Sequence, residues 1–223
     1  MNLPVLSPAP ECTACVCHQS ASSRGLAPIT LNPSQPDALL FIGLFPGKDE
    51  DAAGEAFVGP SGQLLRNAYL RSYDLISRAT IYLTNAIRCH PGPSKPPASA
   101  YTTCESTYLP PLISHLTTLH TRLAIICLGA APSQYLYKKA GIKSPSLNKA
   151  ISRPNTPLPP WNVPLFATYN PAQLIDYDRG RPVLNGLQYA VADHLALVSR
   201  YLSGTLTAPT LSRPTIIPAQ PPP

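Results

Sequence analysis

The sequence predicts an α/β protein: a three-layer α/β/α sandwich around a central, mainly parallel four-stranded sheet. Three observations lead there. Four short apolar runs are continuous rather than alternating, as in strands covered on both faces. Helical patterns separate the runs, which gives the alternation of a sheet packed by helices. Three runs end in Gly-, Pro- or Asn-rich sequence, at the carboxyl ends of strands, where such sheets bind ligands.

Residues 1–11 read as a flexible arm and 12–202 as the folded domain. "CTACVC" supplies Cys12 and Cys15, a C-x-x-C pair, with Cys17 as a third nearby thiol. "ALLFIGL" (38–44) is the first strand. It runs into "FPGKDEDAAGEAFVGPSGQLL", whose end opens a helix over 61–72 with Ser61 as N-cap. "ATIYLTNA" (79–86) is the second strand and leads into "IRCHPG". A helix over 105–120 follows, with Pro110 and Pro111 expected near its start. "LAIICLG" (123–129) is the third strand, with Cys127 as a core thiol, and a helix over 131–141 ends at Gly141. "VPLFATY" (163–169) is the fourth strand and meets "NPAQL". An amphipathic helix over 184–202 closes the domain, and 203–223 reads as a disordered proline-rich tail.

Composition narrows the function classes. Seventeen Lys and Arg against eleven Asp and Glu give a formal charge of +6, compatible with a polyanionic partner. Charged residues are only 13% of the chain, too few for charge-driven disorder. No apolar run reaches the roughly 18–20 residues that cross a bilayer. The start lacks the basic and apolar regions of a signal peptide, so a soluble, intracellular protein with no membrane partner is expected. In that setting six cysteines point to metal or catalysis before disulfides. Cys12 and Cys15 with Cys89 and Cys104 suit either a [4Fe–4S] cluster or structural zinc, and spacing alone does not choose.

These motifs, in this order, resemble the iron–sulfur uracil-DNA glycosylases, the fourth family of their superfamily. The resemblance runs from about residue 12 to 200. It is carried by Cys12/Cys15, "GLFPGKDEDAAGEAFVGPSGQLL", "TNAIRCHPG" with Cys104, "CLGAAPSQ" and "TYNPAQL". It implies a base-excision DNA repair hydrolase that works on uracil in single- or double-stranded DNA as a monomer. It also implies a [4Fe–4S] cluster on Cys12, Cys15, Cys89 and Cys104.

Excision requires flipping the nucleotide into a pocket. Uracil presents an O4 acceptor and an N3–H donor, which one side-chain amide complements, and Asn85 is the candidate. Phe57 is expected to stack on the base, with Gly43 and Phe45 completing the base-binding set. Glu50 is expected to exclude a 5-methyl group or orient water. Asn170 stands where family members carry His, and His90 is a further catalytic candidate. The family Glu after the first Gly is Leu44, and the small residue before Pro is Phe45. DNA grip is assigned to Lys48, Ser61, Gly62, Arg88, Lys95, Arg179 and Arg181, with Leu174 or Ile175 as a wedge. Three functions stay open: a uracil-DNA glycosylase with altered catalytic groups, a catalytically silent uracil- or damaged-DNA-binding relative or protein-interaction module, and a glycosylase for another base.

Overall fold

The computed structural model describes residues 6–93, 95–154, 156–159, 161–176, 181–182 and 186–205. Six strands form the main sheet: β1 (Ile29–Leu31), β2 (Asp37–Gly43), β3 (Thr80–Asn85), β4 (Arg122–Leu128), β5 (Thr156–Leu158) and β6 (Val163–Thr168). They are arranged in the order β1-β3-β2-β4-β6-β5. The four expected runs are β2, β3, β4 and β6, and each pairs in parallel with its neighbour. The expectation of four strands is corrected to six in a mixed sheet, because β1 and β5 add antiparallel edges. At three residues each they are too short to show a period, and Pro157 is tolerable because β5 is an edge.

Side-chain alternation divides the parallel strands between two core layers. Ala38, Leu40 and Ile42 of β2 and Leu123, Ile125 and Cys127 of β4 point into one. Leu39 and Phe41, with Ala124, Ile126 and Leu128, point into the other. Burial on both faces is why these strands read as unbroken apolar runs. Arg122 at the start of β4 grips Asp37 at the start of β2 in a forked pair, tying the end of the sheet opposite the ligand edge.

The helices are α1 (Lys48–Ala53), α2 (Pro60–Gln63), α3 (Leu70–Ser72), α4 (Leu75–Arg78), α5 (Ala98–Leu119), α6 (Ala130–Lys139), α7 (Leu147–Ile151) and α8 (Leu187–Leu202). A π-helical turn over Leu64–Tyr69 joins α2 to α3, so the helix expected over 61–72 carries an inserted residue. Its N-cap is Gly59, with Pro60 in the first helical position, rather than Ser61. Helix α5 begins seven residues earlier than expected and holds Pro110 and Pro111 in its interior. Those prolines cannot donate to the carbonyls of Ser106 and Thr107. Burial of Leu109, Leu112, Ile113 and Leu116 against the sheet offsets that loss. Gly141 follows α6 in the left-handed region, as its C-cap role requires.

In the expected arm, residues 6–11 are tied down: Ala9 N–H donates to the Gly25 carbonyl at 2.8 Å, and Cys12 N–H to Ala9. The greater part of the proline-rich tail lies outside the described residues. No described helix is long and apolar enough to cross a membrane.

Helix α8 carries one buried ionisable group into the core. His194 packs behind β6, with Nδ1 2.9 Å from Thr168 Oγ1, and burial holds its imidazole down at about 4 against an ordinary 6.5. The folded state therefore refuses a proton that the unfolded chain accepts. Folding stability is expected to be unaffected by this group above pH 6.5 and to fall by roughly 3 kcal/mol as pH drops towards 4. Denaturant titrations at several pH values measure this, and His194→Gln should flatten that part of the profile relative to the parent protein.

Candidate functional site

Strands β2 and β3 end together in parallel register, with Gly43 opposite Asn85. A Cβ on Gly43 would stand 2.4 Å from Asn85 Oδ1 and 3.1 Å from Phe57 Cζ. Glycine at 43 is therefore what lets the amide and the ring reach the same point. Phe57 takes φ +58°, a conformation costly for a bulky residue. Its backbone is held there by Gly62, whose missing Cβ would fall 2.3 Å from the Phe57 carbonyl oxygen. Asn85 is only 7% exposed, and its side-chain amide has no hydrogen-bond partner among the described residues. Such a group is expensive to leave unpaired unless a ligand or water meets it.

Asn85, Gly43 and Phe57 line a cavity of about 430 Å³ at the carboxyl edge of the sheet. Leu44, Phe45, Glu50 and Asn170 complete its walls, and Lys48, Asp49 and Ser61 are also on its lining. Glu50 is buried, and its Oε1 accepts from Gly59 N–H at 2.7 Å. That bond closes the loop between α1 and α2. Asn170 caps the short helical turn Pro171–Leu174, its Oδ1 accepting from Ala172 N–H at 3.0 Å. Because a backbone N–H can be met only by the carbonyl oxygen, the Asn170 NH2 is the group left to donate. It has no acceptor among the described residues.

A second cavity has a volume of about 230 Å³. Cys12, Cys15, Cys89 and Cys104 all line it. Gly25 N–H approaches Cys89 Sγ at 3.2 Å, and Arg88 N–H approaches Cys104 Sγ at 3.4 Å. Burial pushes the Cys104 thiol up to about 12, partly offset by the Arg88 N–H. No three described Cys, His, Asp or Glu residues converge tightly enough to hold one ion. A single tetrahedral zinc would need its sulfurs within about 4 Å of one another. Four thiols spread around a cavity suit a polynuclear cluster better, and two N–H donors on sulfur suit its negative charge. Cys17 is buried in the same apolar group as Ile87 and Ala100 but does not line the cavity, and burial raises its thiol to about 11. All six cysteines are without disulfides.

The structure corrects four of the assigned roles. Arg88 is no surface cation: it is 7% exposed and lies over the Tyr108 ring at 4.1 Å. It donates to the carbonyls of Ser7, Gly25 and Leu26 at 2.6–2.7 Å. Leu174 is 1% exposed in the core beside Val191 and Leu195, and so cannot enter DNA without breaking that packing. His90 is absent from the pocket lining, and its Nδ1–H donates to the Pro46 carbonyl at 2.9 Å. Gly62 acts through Phe57 rather than at the surface. Lys95 is exposed, and Ile175 begins the two-residue strand β7 (Ile175–Asp176), which pairs with β8 (Arg181–Pro182). Arg181 is described only as part of β8, and Arg179 lies outside the described residues.

Asp51 escaped the sequence reading because it sits in an acidic run that looks solvated. It is buried, and its carboxylate accepts from Ser22 N–H at 3.0 Å and Ser23 N–H at 2.9 Å. The cysteine-bearing arm is thereby clamped to the helix that forms the pocket wall.

Comparison with known proteins matches residues 30–190 to the uracil DNA glycosylase superfamily. A type-4 uracil-DNA glycosylase of Saccharolobus solfataricus is 33% identical over 139 residues, 60% of each chain. One from Archaeoglobus fulgidus is 28% identical over 61% of this chain and 66% of its own length. One from Pyrobaculum aerophilum is 30% identical over 66% of this chain and 71% of its own. This chain thus spans only about three fifths of the length of the Saccharolobus relative.

Arg88 gives a test of the corrected geometry. Arg88→Met removes three charged hydrogen bonds, those to the carbonyls of Ser7, Gly25 and Leu26, and is expected to cost about 3 kcal/mol or more in denaturant unfolding. The slope of log affinity for DNA against log salt should not change, whereas removal of a phosphate contact lowers it by about one.

Proposed function

The chain belongs to the uracil DNA glycosylase superfamily, in its type-4 branch, and on that premise we propose that it hydrolyses the N-glycosidic bond of uracil in DNA. The observation that carries this reading is the buried, unpartnered Asn85 amide beside Phe57. Its NH2 can donate to uracil O4 while its carbonyl accepts from N3–H. Cytosine reverses both groups and would leave them unpaired. Phe57 offers a stacking face for the flipped base, and the buried Glu50 keeps the loop closed around it.

Breaking the C1′–N1 bond places negative charge on the departing base, largely at O2. The Asn170 NH2, oriented by the bond from Ala172 N–H, is the donor assigned to that oxygen. It stabilises charge but supplies no proton. Cys12, Cys15, Cys89 and Cys104 would hold a [4Fe–4S] cluster, with zinc as the alternative. When bound, the cluster supplies rigidity, fixing the arm and the loop after β3 beside the pocket. Lys48, Ser61 and Lys95 are assigned to the phosphate backbone. The neutral Asn170 and apolar Leu44 favour a second reading, in which the pocket binds uracil-containing DNA without cutting it.

A single-stranded oligonucleotide with one uracil, incubated and then cleaved with alkali, separates these. Strand scission by the parent protein is expected, with Asn85→Ala lowering kcat/KM by about 100-fold or more. Asn170→Ala should lower it by roughly 100–1,000-fold. Uracil-dependent binding without scission would instead establish the second reading. Protein purified without oxygen should carry about four iron atoms per chain and absorb broadly at about 400 nm. One zinc per chain without iron would overturn the cluster.

A further inference from the structure

We propose that Asp49 holds the attacking water, a role that rests on the glycosylase reading above. Hydrolysis needs an acceptor for a water proton and negative charge facing the cationic sugar. Around the pocket, Leu44, Phe45 and Pro46 present only side-chain carbon. The two amides, Asn85 and Asn170, are assigned to the base. That leaves two carboxylates on the lining, Asp49 and Glu50.

Their surroundings separate them. Glu50 is buried between two glycines. Its Oε1 takes the Gly59 N–H at 2.7 Å, and its Oε2 lies 2.6 Å from where a Cβ on Gly47 would stand. It is held as a loop brace. Asp49 is exposed, and its Oδ2 lies 3.1 Å from where a Cβ on Gly59 would stand. It has no hydrogen bond or ion pair among the described residues. Its backbone is fixed because it lies in α1 immediately before the buried Glu50 and Asp51, so its position on the rim does not depend on a loose loop. Independently, the unpartnered, nine-tenths buried Asn85 marks the same cavity as one that receives a ligand. DNA seated over the pocket would cover the Asp49 carboxylate and strengthen its pull on water and on the sugar cation.

The step balances without a further reactant. The C1′–N1 bond breaks and its electron pair leaves with uracil, whose O2 accepts from Asn170. The water oxygen bonds to C1′. One water proton passes to the Asp49 carboxylate, which returns it to the uracil anion or to solvent.

The alternative is a solvated acid that merely favours the helix N-terminus. Single-turnover cleavage of uracil-containing single-stranded DNA distinguishes them. Asp49→Asn is expected to lower the rate by about 100-fold or more, with affinity for a non-cleavable 2′-fluoro-uracil strand changed by less than about threefold. Added formate should restore part of the rate to Asp49→Gly and none to the parent protein. A rate for Asp49→Asn within about threefold of the parent, or a loss confined to binding, would overturn the proposal. No cleavage by the parent protein would overturn the glycosylase reading and this role together, whereas cleavage indifferent to position 49 overturns this role alone.

Discussion

The parallel register of β2 against β3 sets Gly43 opposite Asn85, and the Asn85 carbonyl fits there because position 43 has no Cβ. The Phe57 ring needs the same space from the other side, so one missing methyl admits two side chains. Phe57 in turn keeps its left-handed backbone because Gly62 packs on its carbonyl. A chain of close backbone approaches, rather than any single strong bond, therefore shapes the pocket. Close packing transmits such constraints because interiors have little free volume to absorb a displaced group.

The two cavities are joined mechanically. Asp51 clamps the arm of Cys12 and Cys15 to α1, while His90, next to Cys89, holds the Pro46 carbonyl of the pocket loop. Phe45 lines the pocket and also packs against the apolar group around Cys17, Ile87 and Cys89. Arg88 completes the tie by gathering three carbonyls of the arm under its guanidinium. Charged hydrogen bonds to buried backbone are among the stronger restraints available to a fold. Order in the cysteine region is thus felt directly at the cavity of Asn85 and Phe57.

The polar inventory of the pocket is sparse. Two carboxamides face it, one carboxylate is committed to the loop, Asp49 stands on the lining with Lys48 and Ser61, and Leu44 and Phe45 add only carbon. The proposed glycosidic cleavage, which would develop a departing anion and a sugar cation, has only a few groups held in place beforehand to draw on. Asn170 meets that condition because capping the next turn fixes which end of its amide is free.

The sequence by itself determined the four parallel strands, since only strands buried on both faces read as continuous apolar runs, and its motifs singled out Asn85, Phe57 and the four cysteines, which the fold brings to the lining of two cavities. The edge strands β1 and β5 were illegible because three residues carry no period. Position along the chain also could not separate Arg88 from a surface cation, or Asp51 from a solvated acid. Asp51 sits in the acidic helix α1 and Arg88 in the loop after β3, and their partners are N–H groups and carbonyls 28 to 81 residues away. Leu174 posed the opposite problem, since an apolar residue after a turn fits a wedge and a core equally well until α8 packs over it. Only the tertiary structure decided these, because whether a charge is solvated or committed depends on which distant backbone groups fold against it.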